Sequence, residues 1–361
     1  MIVGLIGLQL SGKTTVFNAV TRGDAEVGSF QSQKGAFNRG RVLVPDERVD
    51  WLAELENSKK ITFAEVEYID VAGFSGDKDS VSDTEVPAIL RDADALVHVV
   101  RAFENETVIH PKGSIDVIRD IQSLDDELVI SDLILIENRL GRIEKQAKHT
   151  KDDAIKHEFE VLQRIKVHLE NNEPLRGVDI DPEDEKTVRG FKLLSLKPML
   201  LVINIGEDDI QNVENLAAQY ASLKEKPNVD LVALCGKIEM ELAQLPDEDR
   251  SSFMEDLGIK ESALDLVIKK SYELLGLISY LTVGEKESRA WTVSKGATAP
   301  QAAAVIPKDF ERGFIRAEVV AFEDLKRTGS HAEAKKQGLV RLEGKNYIMQ
   351  DGDVVLFRFN V

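Results

Sequence analysis

Short apolar runs recur along this chain, separated by longer stretches in which hydrophobic and charged positions mix. Residues 2–6, 95–100, 199–205 and 229–234 are dominated by Val, Ile, Leu and Ala, and 61–73 forms a further strand-like stretch. Runs of this length separated by helical stretches predict an α/β unit. Its sheet is mostly parallel, with the ligand at the C-terminal ends of the strands. Between residues 121 and 197 the pattern turns helical and heavily charged. Leu124, Leu128 and Leu135 fall near one helical face, and Phe159, Leu162, Ile165 and Leu169 make another stripe. Two antiparallel helices joined near 148–153, with these stripes as their seam, are expected to form a hairpin inserted into the α/β unit. From about residue 278 the pattern becomes short strands around one helix, opened at 299–306 with Pro300 at an early, tolerated position. The expected organisation is 1–120 with 198–277 as one discontinuous domain, 121–197 as the helical arm, and 278–361 as a small α+β module.

Composition narrows the class without choosing a function. At 361 residues the chain is too long for one ordinary core. With 43% hydrophobic and 30% charged residues it reads as globular, and no apolar run approaches the roughly 20 residues needed to span a bilayer. The first residues already form a strand, so no signal peptide is expected. One cysteine, Cys235, excludes an internal disulfide and the usual cysteine-rich zinc sites. A cytoplasmic, monomeric protein is the expectation. The net charge of −18 argues against wholesale binding of nucleic acid. It is unevenly spread, since residues 278–361 hold 13 Lys and Arg against 11 Asp and Glu. An acidic body with a near-neutral tail is compatible with docking on an RNA-rich partner and equally with an ordinary solvated surface.

The chemistry lies in the first fifteen residues. Gly7 to Thr14 (GLQLSGKT) fits G-x-x-x-x-G-K-[ST], after an apolar strand and before a helix. Glycines let the backbone amides of Leu10, Ser11, Gly12, Lys13, Thr14 and Thr15 close on phosphate oxygens, and the helix N-terminus favours the anion. Lys13 is placed for the β- and γ-phosphates, and the Thr14 hydroxyl for Mg²⁺. The strand ending in Asp70-Val71-Ala72-Gly73 supplies a carboxylate that holds the metal through water, Asp70, and a γ-phosphate-sensing amide, Gly73. After the run 199–205 a GTPase places N-K-x-D to read guanine. Here the segment is Asn204-Ile205-Gly206-Glu207, with a longer carboxylate and no lysine, a change expected to weaken guanine discrimination. Cys235-Gly236-Lys237, after the next strand, is the second base-contacting loop.

With these segments in view the sequence resembles the Obg-like ATPases (the YchF family) over essentially its whole length. The likeness rests on the P-loop, Asp70–Gly73, 98–105 (HVVRAFEN), 204–208 (NIGED), 289–292 (RAWT), 296–303 (GATAPQAA), 309–317 (DFERGFIRA) and 351–354 (DGDV). It implies a Ras-like nucleotide domain, an inserted coiled-coil arm and a C-terminal β-grasp domain of the TGS type. It also implies ATP in preference to GTP, slow Mg²⁺-dependent hydrolysis, and association with ribosomes. Family members lack the glutamine that orients water in Ras-like enzymes, and Phe74 agrees with that. The resemblance assigns the water-positioning role to a loop histidine, His110, although the local sequence alone reads as an ordinary exposed side chain.

Several positions depart from the family pattern. Lys34 stands where a switch threonine would ligate Mg²⁺, Leu10 replaces a P-loop asparagine, and residues 75–80 replace a glycine-rich switch. Three readings remain: a slow ATPase, a nucleotide-occupancy scaffold without significant hydrolysis, and a GTP-binding protein with relaxed base choice.

Overall fold

The computed structural model describes residues 1–21, 28–32, 35–71, 88–149, 151–259, 261–306 and 313–359. Lys34, Gly73, Phe74 and the switch segment 75–80 lie outside the described residues. The chain divides into two compact units, 1–42 with 67–274, and 43–66 with 275–361.

The first unit is built on a seven-stranded sheet over the described residues. Its strands, in chain order, are β1 (Ile2–Ile6), β2 (Gly28–Ser32), β3 (Gly35–Leu43), β5 (Glu65–Val71), β6 (Ala95–Ala102), β7 (Met199–Ile205) and β8 (Val229–Leu234). They lie side by side in the order β2-β3-β5-β1-β6-β7-β8. From β5 to β8 every pairing is parallel, and β7 is buried along its whole length. That explains the near-continuous apolar runs, because a parallel sheet is covered on both faces. Because β1 and β5 are neighbours in parallel register, with Leu5 opposite Asp70, the loop after β1 and the end of β5 emerge at the same edge.

Helix α4 (Val117–His149) runs 33 residues, about 50 Å at helical rise, and returns through α5 (Asp153–Glu170). Its first half belongs to the sheet. Leu124 and Leu128, expected at the seam of the hairpin, instead pack in the core against Val100, Leu201 and Ile203. The seam is formed by Val129, Ile136 and Ile143 of α4 against Val161, Leu162, Ile165 and Leu169 of α5, a seven-residue spacing on α4 that matches two helices packed side by side. Arg139 closes it with two hydrogen bonds to Glu158, at 2.7 and 2.9 Å.

Two buried carboxylates fasten α4 to its surroundings. Asp132, with no exposed surface, accepts from Arg91 (2.9 Å), the Leu194 and Ser195 amides (3.0 and 2.7 Å) and the Ser195 hydroxyl (2.8 Å). Asp125 accepts from Arg176 at 2.7 Å. Beside this group sits His98 of β6, fully buried, neither ring nitrogen having a hydrogen-bond partner among the described residues.

In the second unit a six-stranded sheet runs β12-β11-β13-β9-β10-β4 over the described residues. Its strands are β4 (Ile61–Thr62), β9 (Leu277–Thr282), β10 (Ser288–Ser294), β11 (Phe314–Ala321), β12 (Arg341–Glu343) and β13 (Asp353–Phe359). One face packs Tyr280, Val319 and Phe357 against the short helix Ala299–Ala303. Residues 43–66, expected within the nucleotide domain, belong here instead. Strand β4 pairs in parallel with β10. In the helix Glu47–Glu56, Arg48 binds Asp46 through two nitrogens at 2.8 Å and Asp351 at 2.6 Å. Trp51 meets Phe322 edge to face with ring centroids 5.5 Å apart. Gly352 permits this approach: its φ is +80°, and a Cβ there would stand 2.8 Å from Arg48 Nη1.

Replacing Asp132 by Ala strips one charge from a buried, fully hydrogen-bonded group. It is expected to cost about 3–5 kcal/mol, read from urea unfolding with a probe in the first unit. Burial, with the neighbouring Arg176 cation, pulls the His98 imidazole down to about 3. The unfolded chain therefore binds one more proton than the folded one between about pH 6.5 and 3. Stability is full above that window and falls as pH drops through it, with a limiting slope of about 1.4 kcal/mol per pH unit. His98→Leu is expected to flatten the stability–pH curve between pH 6 and 4.5.

Candidate functional site

The loop between β1 and helix α1 (Lys13–Val20) carries the predicted phosphate cradle. Gly12 caps α1 in the left-handed region (φ 88°), and no side chain caps the helix. With no acidic residue in the first turn either, the leading amides and the helix dipole are left for an anion. A Cβ on Gly12 would stand 2.2 Å from Asn204 Nδ2, and one on Gly7 would stand 2.5 Å from the Val99 carbonyl oxygen. Neither glycine is replaceable without moving the loop. Leu10 also adopts a left-handed conformation (φ 62°) and is 53% exposed. A leucine is strained there, whereas an asparagine would tolerate it.

Opposite the loop, the end of β5 presents Asp70, buried to 3% exposure. The Thr14 hydroxyl donates to Asp70 Oδ2 at 3.0 Å. Lys13 reaches the other carboxylate oxygen as an ion pair and donates to the Val71 carbonyl at 3.0 Å. Three residues expected around a phosphate and its metal thus converge, with the lysine ammonium resting against the carboxylate. Thr15, the next residue of α1, is half-buried.

Asn204 makes two hydrogen bonds within the protein. Its Nδ2 donates to the Ser11 carbonyl at 2.9 Å and its Oδ1 accepts from the Gly236 amide at 2.9 Å. The side chain therefore ties the phosphate loop to the loop after β8. Ile205 and Cys235 place their side chains in the sheet core, which leaves their backbone for any ligand, and burial pushes the Cys235 thiol up. Glu207 is exposed and forms an ion pair with Lys237, a contact with no periodic signature in the sequence. Ser11 is buried, its hydroxyl without a partner among the described residues.

His110 is not the exposed loop residue that its local sequence suggests. It is buried, its Nδ1 accepts from the Lys112 amide at 3.1 Å, and its Nε2 lies 3.0 Å from Asp120 Oδ2 in the first turn of α4. An accepting Nδ1 puts the proton of the neutral ring on Nε2, facing that carboxylate. In this conformation Nδ1 is engaged by the Lys112 amide and Nε2 is turned toward the Asp120 carboxylate. The loop leading to it is shaped by Arg101, whose guanidinium donates to the Phe103 and Val108 carbonyls (3.1 and 2.9 Å) and lies 4.6 Å from the Phe103 ring centroid. Sequence reading passed over Asp120, because nothing in its spacing marks it as a partner of His110.

A strand, a glycine-bounded loop and a helix, with lysine and threonine facing a buried aspartate from the neighbouring parallel strand, define a P-loop nucleotide-binding domain. Residues 2–139 match the family model MMR_HSR1, described as 50S ribosome-binding GTPase. Residues 277–360 match YchF-GTPase_C, described as a protein of unknown function (DUF933). The chain is 44% identical over 365 residues to the ribosome-binding ATPase YchF of Bacillus subtilis (strain 168), covering 99% of each. It is 34% identical to Obg-like ATPase 1 of Oryza sativa subsp. japonica, over 99% of this chain and 92% of that protein. The solved structure of the Schizosaccharomyces pombe YchF GTPase matches with a TM-score of 0.84 at 29% identity, over 99% of this chain and 97% of that one. The chain belongs to the YchF family of Obg-like ATPases.

Relief of backbone strain at Leu10 gives a direct check of the loop geometry. Leu10→Asn is expected to raise stability by about 0.5–1 kcal/mol, seen as a higher urea midpoint at unchanged slope.

Proposed function

We propose that this protein binds ATP with Mg²⁺ at the P-loop and hydrolyses it slowly to ADP and phosphate, in a cycle coupled to ribosome binding. The observation that carries the reading is the convergence of Lys13, Thr14 and Asp70 at the mouth of an uncapped helix. The relatives named ribosome-binding ATPase support the substrate and the partner.

The residues fit the ligand. The amides of 10–15 would surround the phosphates, and Lys13 would move from Asp70 to balance their charge. Thr14 and Asp70 supply a hydroxyl and a carboxylate, an all-oxygen pair suited to Mg²⁺, which takes its other ligands from phosphate and water. A bound Mg²⁺ would orient the phosphate oxygens and neutralise their charge. Asn204 holds the cradle against the base-side loop, where the backbone of Ile205, Cys235 and Gly236 and the side chain of Glu207 would meet the base. Gly73 is assigned the γ-phosphate contact on sequence grounds. The arm at 121–197 and the TGS-like tail at 278–361 are the proposed partner-facing parts. His110 is assigned to water positioning only after it leaves Asp120. That engaged histidine favours a second reading, an occupancy scaffold without significant hydrolysis.

Single-turnover hydrolysis of ATP with and without ribosomes separates the two readings. Hydrolysis that rises with ribosomes supports the enzyme, and none under either condition supports the scaffold. Lys13→Ala is expected to lower the rate about 100-fold or more, and Asp70→Asn to abolish the Mg²⁺ dependence of nucleotide affinity. A Lys13→Ala protein hydrolysing at the parental rate would place the activity elsewhere.

A further inference from the structure

The ion pair between Glu207 and Lys237 lies where the base is expected. Glu207 opens the turn Glu207–Asn212 directly after β7, and Lys237 is the second residue of helix α8 (Gly236–Gln244). Asn204 brings the two together, since the Gly236 amide donates to a side chain three residues before Glu207. The pair is open to solvent, with side-chain exposures of 62% for Lys237 and 44% for Glu207. Of the groups that act on Lys237, only Glu207 bonds to it. Glu239 is buried and engaged by Ser262 and the Ala263 amide, Cys235 is held neutral by burial, and Glu241 acts on Lys237 only through its field.

We propose that Lys237 sets the base preference of the site by occupying Glu207. The proposal rests on the nucleotide reading above. Guanine offers two adjacent donors on its Watson–Crick edge, N1–H and N2–H, and the acceptor that matches them is a carboxylate with both oxygens free. A carboxylate carrying an ammonium has one oxygen engaged and a donor beside it. Guanine would then leave a donor facing a donor, the kind of mismatch that discriminates strongly. Adenine's edge has one donor (N6–H) and one acceptor (N1), a pattern the ammonium–carboxylate pair can satisfy. Glu207 alone would read guanine, and Glu207 with Lys237 disfavours it. Lys237 is thus a specificity residue outside the triphosphate machinery.

The test is a competition titration of the full chain with Mg²⁺ and non-hydrolysable ATP and GTP analogues. It compares the parental protein with Lys237→Met, Glu207→Gln and the double variant. An exposed pair contributes little to folding, and melting curves check that each variant is folded. The parental protein is expected to prefer the adenine analogue. Lys237→Met should raise GTP affinity relative to ATP about tenfold, and adding Glu207→Gln should remove that gain. A ratio unchanged in Lys237→Met, an equal loss of both nucleotides, or a parental preference for guanine would each overturn the role of Lys237 while leaving the P-loop reading standing. Failure of the parental protein to bind either analogue would overturn that reading and this one together.

Discussion

The carboxamide of Asn204 is the contact on which the candidate site depends. It is 4% exposed and spans two loops, accepting from the Gly236 amide and donating to the Ser11 carbonyl. A buried peptide group left unpaired costs about 1–3 kcal/mol, so one side chain satisfies two such groups that no strand ladder reaches. It also explains why position 12 is glycine: the carboxamide nitrogen fills the space where a Cβ would be. The phosphate cradle and the base-side loop are therefore one rigid object, and the identity of a single residue on β7 decides the shape of a loop almost two hundred positions earlier.

Charge organises the rest of the site along the same edge of the sheet. Lys13 rests on Asp70 and Val71, Lys237 on Glu207, and Asp120 faces His110. In each case a residue with a proposed role toward nucleotide or water lies against a charged group of the protein itself. Nucleotide binding on this geometry is an exchange of partners, in which phosphate takes the lysine and a divalent cation takes the aspartate. Such exchanges cost less than exposing bare charges to a low-dielectric loop.

The arm is joined to this edge through buried polar contacts as well as apolar packing. Asp132 and Asp125 lock the middle of α4 to Ser195, Arg91 and Arg176, and Leu124 and Leu128 press its first half onto the sheet. Asp120, one turn into the same helix, is the group that faces His110.

Much of this was legible in the linear chain. The phosphate loop was, because the conformation of G-x-x-x-x-G-K-T is set locally, within one strand, turn and helix. The parallel sheet was too, since strands covered on both faces leave continuous apolar runs. What could not be read depends on contacts between residues far apart in sequence. Residues 43–66 follow β3 in the chain, yet they pack with the tail because Arg48 meets Asp351 and β4 pairs with β10. Leu124 and Leu128 have the spacing of a hairpin seam, but helical periodicity shows only that a face is buried, not which surface covers it. His110 reads as a loop residue until the fold brings Asp120 to it, and nothing near Asn204 in the sequence shows that its amide joins Ser11 of the P-loop to Gly236 of the loop after β8. The chain by itself determined local conformations and the chemistry of one loop. Tertiary structure alone decided which distant charges and amides meet, because hydrogen bonds and ion pairs act over a few ångströms in space and leave no period in the sequence.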